Sequence, residues 1–121
     1  MTDVTAFDEI EIGALARMDP AERDRLPYGV VGLDHQGIVV VYSAAEARMA
    51  GLERDSVIGT AFFEAVAQCM NNFMVAQRFE DETELDEILP YVLTLRMRPT
   101  PVRLRMLSTA SEPLDFILIE R

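Results

Sequence analysis

Apolar positions along the chain change their period several times, and each change marks an element. In residues 11–18, EIGALARM, Ile12, Leu15 and Met18 recur every three residues and share one helical face. Asp19-Pro20 then offers an N-cap followed by proline at the first helical position. This predicts a short second helix over AERDRL that ends before Pro27. Residues 29–43 switch to strand character. Val30, Val31 and Leu33 precede the turn Asp34-His35-Gln36-Gly37, and a β-branched run ending at Tyr42 follows, which predicts a hairpin. Residues 44–68 break into short helical pieces. AAEARMAG ends at Gly51 and ERDSVIG at Gly59, both suited to C-caps, and Thr60 is expected to cap a piece carrying Phe62 and Phe63. Phe73, Ala76 and Phe79 predict a longer helix over 73–87, whose acidic end EDETELDE reads as a solvated face. Residues 88–97 and 102–107 alternate as strands joined by Pro99-Thr100-Pro101. Phe116 to Ile119 form the last strand, after a turn at Ser111-Glu112-Pro113.

This order of elements predicts an α+β fold: a helical cap over residues 1–27, and a core over 28–121 built on a five-stranded antiparallel sheet flanked by short helices. The length of 121 residues suits one domain, and half the residues are hydrophobic, enough for a core. The net charge of -10 repels phosphate backbones and anionic lipid, so neither nucleic acid nor a membrane surface is an expected partner. One Cys and one His exclude an internal disulfide framework and cysteine-rich or multi-histidine metal sites. A secretory leader and a membrane-length apolar run are both missing, which makes the cytoplasm the expected location.

Three residues stand out chemically. Cys69 is the lone thiol, Tyr42 ends a predicted strand, and Glu46 lies in a helical turn otherwise made of Ala44, Ala45 and Ala47. Glu46 and Ala50 are one turn apart and share a face. If that face turns inward, a carboxyl with no cation beside it is driven towards its neutral form by desolvation. With the Tyr42 phenol it would make a two-donor clamp for a phenolate or enolate. Each residue also has a plainer reading. A lone cysteine is ordinarily a small apolar core residue, a helical glutamate is ordinarily solvated, and Tyr42, Met49, Phe62, Phe63 and Met97 are ordinarily core. An enzyme with Cys69 as nucleophile would need a base, and the only histidine sits at a turn tip, so enzymatic activity is not expected.

Taken together, LARMD (15–19), GVVGLDHQG (29–37), YSAAEARMAG (42–51), VIGTAFFEAVAQC (57–69), MRPT (97–100) and DFILIER (115–121) resemble the photoactive yellow protein family, a branch of the PAS sensory domains. The resemblance implies a PAS fold and a blue-light photoreceptor. It implies trans-p-coumaric (4-hydroxycinnamic) acid joined to Cys69 as a thioester, with Tyr42 and Glu46 on its phenolic oxygen. Phe62, Val66, Ala67 and Met97 are then pocket neighbours, with Met97 tied to thermal return of the chromophore to trans. Ala50 stands where the family has threonine and Leu52 where it has arginine, so the polar surround of the phenolic oxygen is remodelled. Light would isomerise the chromophore from trans to cis, Glu46 would pass its proton to the phenolate, and the small cap would loosen to give the signalling state. The implied partner is an unidentified downstream signalling protein, met by a monomer or weak dimer. A chromophore-free PAS interaction module, with Cys69 as an inert core thiol, is the alternative.

Overall fold

The structure is a computed structural model and describes residues 4–94 and 98–121. Five strands form one antiparallel sheet: β1 (Gly29–Leu33), β2 (Val39–Tyr42), β3 (Leu85–Leu93), β4 (Thr100–Ser108) and β5 (Asp115–Glu120). Their order is β2-β1-β5-β4-β3, so the first and last strands lie side by side. Gly29 faces Ile119 in that pairing, which carries the end of β5 to the beginning of β1.

Short-range chemistry accounts for most elements. Asp34 accepts the backbone N–H groups of Gln36 (2.8 Å) and Ile38 (3.0 Å), and Gly37 takes φ 80°, which closes the β1–β2 hairpin. In the cap, α1 (Ile12–Arg17) buries Leu15, and α2 (Pro20–Asp24) begins with a reciprocal capping box between Asp19 and Glu22. The Ser43 hydroxyl caps α3 (Ala44–Ala50) by accepting from Glu46 N–H, and also accepts from Val30 N–H (3.0 Å), tying that helix to β1. Gly51 ends α3 with φ 69°. Then come α4 (Arg54–Val57), a π-helical turn (Phe62–Val66), a 3-10 turn (Gln68–Met70) and α5 (Ala76–Asp81).

Two expectations fail locally. Thr60 does not cap the following turn; its hydroxyl donates back to the Val57 carbonyl (2.6 Å). The helix expected over 73–87 is only the six residues of α5. Its start is cut off because the Asn72 side chain takes the N–H groups of Met74 (3.0 Å) and Val75 (3.2 Å) into a turn. Its acidic end is drawn into β3: Leu85 turns inward, Asp86 pairs with Arg105 (2.9 Å), and Glu87 pairs with Arg78. In the ladder Asp86 reaches Arg105 on the neighbouring strand, and the contact is made by strand pairing. Pro90 is tolerated inside β3 because that strand is a sheet edge.

The sheet separates two apolar clusters. One holds Tyr42, Phe62, Ala67, Leu104, Met106, Ile117 and Ile119 beneath the short helices. The other packs Phe7, Ile10, Leu15, Leu26 and Tyr28 of the N-terminal region against Val30, Leu107, Phe116 and Leu118. Arg105, 5% exposed, crosses this second side to donate to the Phe7 carbonyl (2.9 Å). Arg103 sits 4.8 Å from the Phe7 ring centre and pairs with Asp8 (2.9 Å) and Glu120 (2.8 Å). The cap is thus fastened by buried apolar groups as well as by polar contacts.

Candidate functional site

Tyr42 closes β2, Ser43 starts α3, and the first turn of that helix carries Glu46 inward over β1. Glu46 is 2% exposed. Its carboxyl lies against the backbone of Gly29, where a Cβ would fall 2.1 Å from Oε1 and 3.1 Å from the Glu46 Cβ. Only glycine permits that approach. Glu46 and Tyr42 both turn inward, which meets the condition the sequence left open. The absence of a cation beside Glu46, on which the neutral-carboxyl argument rested, is not met. Arg121, just beyond β5, donates from Nη1 to Oε1 (2.7 Å) and from Nη2 to Oε2 (3.1 Å), a two-pronged ion pair. The Arg121 side chain is itself only 14% exposed.

Electrostatics follow from this geometry. Burial pushes the Glu46 carboxyl above its ordinary value, and Arg121 pulls it back only in part. Burial likewise raises the Tyr42 phenol well above its ordinary value. Negative charge on Glu46 adds to the rise, and Arg121 opposes it. The Tyr42 phenol therefore senses the charge on Glu46.

Cys69 lies in the 3-10 turn and is half-buried. Its carbonyl accepts from the Tyr91 hydroxyl (2.5 Å) and from Asn72 Nδ2 (3.1 Å), and Asn72 also donates to the Tyr91 oxygen (2.7 Å). This triangle of contacts anchors the backbone that carries the thiol. Just before it, the Ala67 N–H reaches back five residues to the Phe62 carbonyl (2.8 Å), the π-helical closure that leaves both Phe62 and Ala67 buried. Tyr42, Phe62 and Ala67 belong to one apolar cluster, with Leu52, Val66 and Cys69 packed against it. Ala50 is buried and lines a groove with Leu93 and Arg121. Met97 lies outside the described residues.

Arg121, Tyr91 and Asn72 were missed from the sequence. Tyr91 had a signal, since it alternates in phase with Leu89 and Leu93, which face the same cluster. Arg121 had none, because its partner is set by strand pairing across nearly the whole chain. Among the described residues, no group of three or more His, Cys, Asp or Glu is placed to hold a metal, and no helix is long and apolar enough to cross a membrane.

Comparison with known proteins agrees with this architecture. The PAS fold family matches residues 20–109. Photoactive yellow proteins from Rhodothalassium salexigens and Halochromatium salexigens are 32% and 33% identical over 117 residues, covering 94% of this chain and 93% of each relative. The photoactive yellow protein domain of the sensor histidine kinase Ppr from Rhodospirillum centenum superposes with a TM-score of 0.82 at 31% identity, over 90% of this chain and 98% of that domain. A PAS domain of an HTR-like protein from Haloarcula marismortui, at 17% identity and a TM-score of 0.64, shares the fold. The five-stranded sheet, the helical cap and the full-length similarity lead to one conclusion: the chain belongs to the PAS family and, within it, to the photoactive yellow protein family.

Proposed function

We propose that this chain is a blue-light photoreceptor that carries p-coumaric acid as a thioester on Cys69. One observation carries the reading: the lone thiol, the Tyr42 phenol and the apolar side chains of Phe62, Val66 and Ala67 meet in a single cluster beside buried Glu46. The residues fit the group. A thiol can form the thioester, the apolar wall suits an aromatic ring, and two oxygen acids suit a phenolic oxygen. When bound, the group supplies an absorbing conjugated double bond that isomerises in light.

The chain's residues do the rest. Asn72 and Tyr91 fix the Cys69 backbone. Phe62, Val66 and Ala67 exclude water, and Leu52 packs beside them. Tyr42 holds the phenolic oxygen through its hydroxyl, and the Ala50 methyl offers that hydroxyl no hydrogen bond. Glu46 exchanges a proton with the same oxygen at its carboxyl, and its charge in darkness sets the direction. A change of charge at a carboxyl this buried is costly unless compensated, and loosening of the cap over residues 1–27 relieves it. The signal then passes to a downstream signalling protein through the altered surface. The Rhodospirillum relative belongs to a sensor histidine kinase, which illustrates such an output.

Activated p-coumaric acid added to the purified chain should give one coumaroyl mass increment and an absorption band that responds reversibly to light, both lost in Cys69→Ala. Identical behaviour of the two proteins, with no adduct, would instead favour a chromophore-free PAS interaction module.

A further inference from the structure

At the end of β1 opposite Gly29, a cleft of about 490 Å³ opens between the β1–β2 turn, the π-helical turn, α5 and the β4–β5 turn. Pockets for small molecules run to ~300–1,000 Å³. None of Tyr42, Glu46 and Cys69 lines this one. Its deepest polar group is Asp115, which opens β5, pairs in register with Leu33 and is 6% exposed. One carboxylate oxygen accepts from the Ser108 hydroxyl at 2.6 Å. Among the described residues nothing donates to the other oxygen, and no sealed side-chain oxygen lacks a partner, so that second oxygen opens onto the cleft. Burial pushes the Asp115 carboxyl above its ordinary value, and the Ser108 hydroxyl and His35 pull it back. This is a buried acid short of positive partners.

The walls match a cation. Phe63 and Phe79 both line the cleft, with ring centres 6.5 Å apart, and aromatic faces attract cations. Of the other lining acids, Glu82 is engaged by Arg78 and Asp34 by the backbone N–H groups of its turn. Glu64 and Glu80 have no cation beside them among the described residues, and His35 is the only described lining group able to carry positive charge. The acids are spread out rather than convergent: no three His, Cys, Asp or Glu among the described residues are placed to hold a metal ion. A metal ion needs several oxygens at one point, whereas one deep carboxylate between aromatic walls suits an organic cation.

We infer that this cleft binds a small organic cation, an alkylammonium or alkylguanidinium, with its charged head on Asp115 and its apolar stem against Phe63 and Phe79. The inference does not depend on the photoreceptor reading. The two sites are nonetheless neighbours, because Phe63 meets the buried Phe62 edge to face, with ring centres 5.3 Å apart.

The test is a titration of the wild-type chain with n-butylguanidinium, n-butylammonium and neutral n-butanol, followed through backbone amide NMR shifts. Both cations should saturably shift the amides of Asp34, Phe63, Thr109 and Asp115 at millimolar concentration, and butanol should not. Equal shifts from butanol, shifts confined to the acidic run 80–87, or no shifts at all overturn the site. Asp115→Asn keeps an acceptor for Ser108 but loses the charge, and should weaken cation binding about ten-fold or more. Phe79→Leu should weaken it about two- to five-fold. Glu80→Gln should change it less than about two-fold, because Glu80 is exposed and its charge is screened. Equal losses at Glu80 and Asp115 would mean diffuse attraction to an acidic surface and overturn the proposal. Should Asp115→Asn fail to fold, high salt decides on the wild type: binding at a buried carboxylate persists, and its disappearance overturns the site. N-acetylarginine amide stands in for an arginine side chain of a partner protein and should bind no more tightly than butylguanidinium. Tighter binding overturns the small-molecule assignment in favour of a protein partner.

Discussion

The two sides of the sheet are built to different rules. Successive residues of β5 divide between them: Phe116 and Leu118 pack under the cap, whereas Ile117 and Ile119 face the site. The cap side is mostly apolar, and Arg105, its one buried cation among the described residues, ends on a backbone carbonyl and on Asp86, whose side chain is 60% exposed. The site side buries the carboxylate of an ion pair, whose arginine side chain is 14% exposed, together with a phenol and a half-exposed thiol. Apolar burial stabilises both sides without special geometry, and the larger apolar cluster lies on the site side. The site side holds groups whose burial is tolerated only while their partners stay in place. Glu120 and Arg121, consecutive at the end of β5, serve one side each: Glu120 pairs with Arg103 beside the cap, and Arg121 with Glu46.

The largest effects should come from truncating the apolar clusters, one side at a time. Leu15 of the cap and Leu104 of the site side are both fully buried, and Leu→Ala at either should cost ~2–5 kcal/mol in urea unfolding. The two should differ in hydrogen exchange. Leu15→Ala should expose amides in residues 4–27 while β4 and β5 stay protected, whereas Leu104→Ala should weaken the whole sheet. Equal acceleration everywhere in both variants would mean that the sides do not open separately.

Two glycines sharpen the contrast at a smaller scale. At Gly29 a Cβ meets the Glu46 carboxyl and Cβ, so Gly29→Ala should cost ~1–3 kcal/mol and disturb the pair with Arg121. At Gly13, inside α1, a Cβ meets only the tip of the Arg17 side chain at 3.1 Å, which can swing aside. Gly13→Ala should therefore raise stability, by ~0.5–1 kcal/mol. Thermal melts of the two variants should move in opposite directions, and a loss of stability at both positions would show that the cap is packed as tightly as the site.

The same contrast explains what was legible in the sequence. The hairpin around Asp34 and Gly37, the capping box at Asp19, the Gly51 stop and the alternation of β4 are local devices, readable within a few residues. The helix expected over 73–87 fails because its acids are taken into β3, where Asp86 pairs with Arg105 on β4 and Glu87 with Arg78 on α5, partnerships set by the fold. In the site, Tyr42 at the end of β2 and Glu46 in the first turn of α3 are four residues apart, and Cys69 is marked by a motif. Arg121 reaches Glu46 only because β5 pairs with β1 in the register of Gly29 with Ile119. A contact between residues 75 apart leaves no period and no spacing to detect.

The smallest expected effect at neutral pH, and the most pH-dependent, belongs to Tyr42. Tyr42→Phe removes one hydroxyl, and near pH 7 the change should be no more than ~1 kcal/mol. Alkaline conditions should separate the two proteins. The ordinary tyrosine value is 10.0, and in the folded chain the Tyr42 phenol holds its proton well beyond that, first through burial and then through the charge of Glu46. Above about pH 10 the unfolded chain loses this proton while the folded chain retains it. Stability present below that pH is therefore lost as pH rises, at up to ~1.4 kcal/mol per pH unit for the one group. The chain has no lysine, and its arginines do not titrate in this range, so few other groups change charge there. Tyr28 and Tyr91 remain in both proteins and cancel in the difference. Urea unfolding of wild type and Tyr42→Phe, compared from about pH 8 to pH 11, should thus show the wild type losing its margin over the variant as the pH passes 10. Parallel curves would mean that the Tyr42 hydroxyl ionises as freely in the folded protein as in water, and the description of the site side as a place of costly buried charge would fail at its phenol.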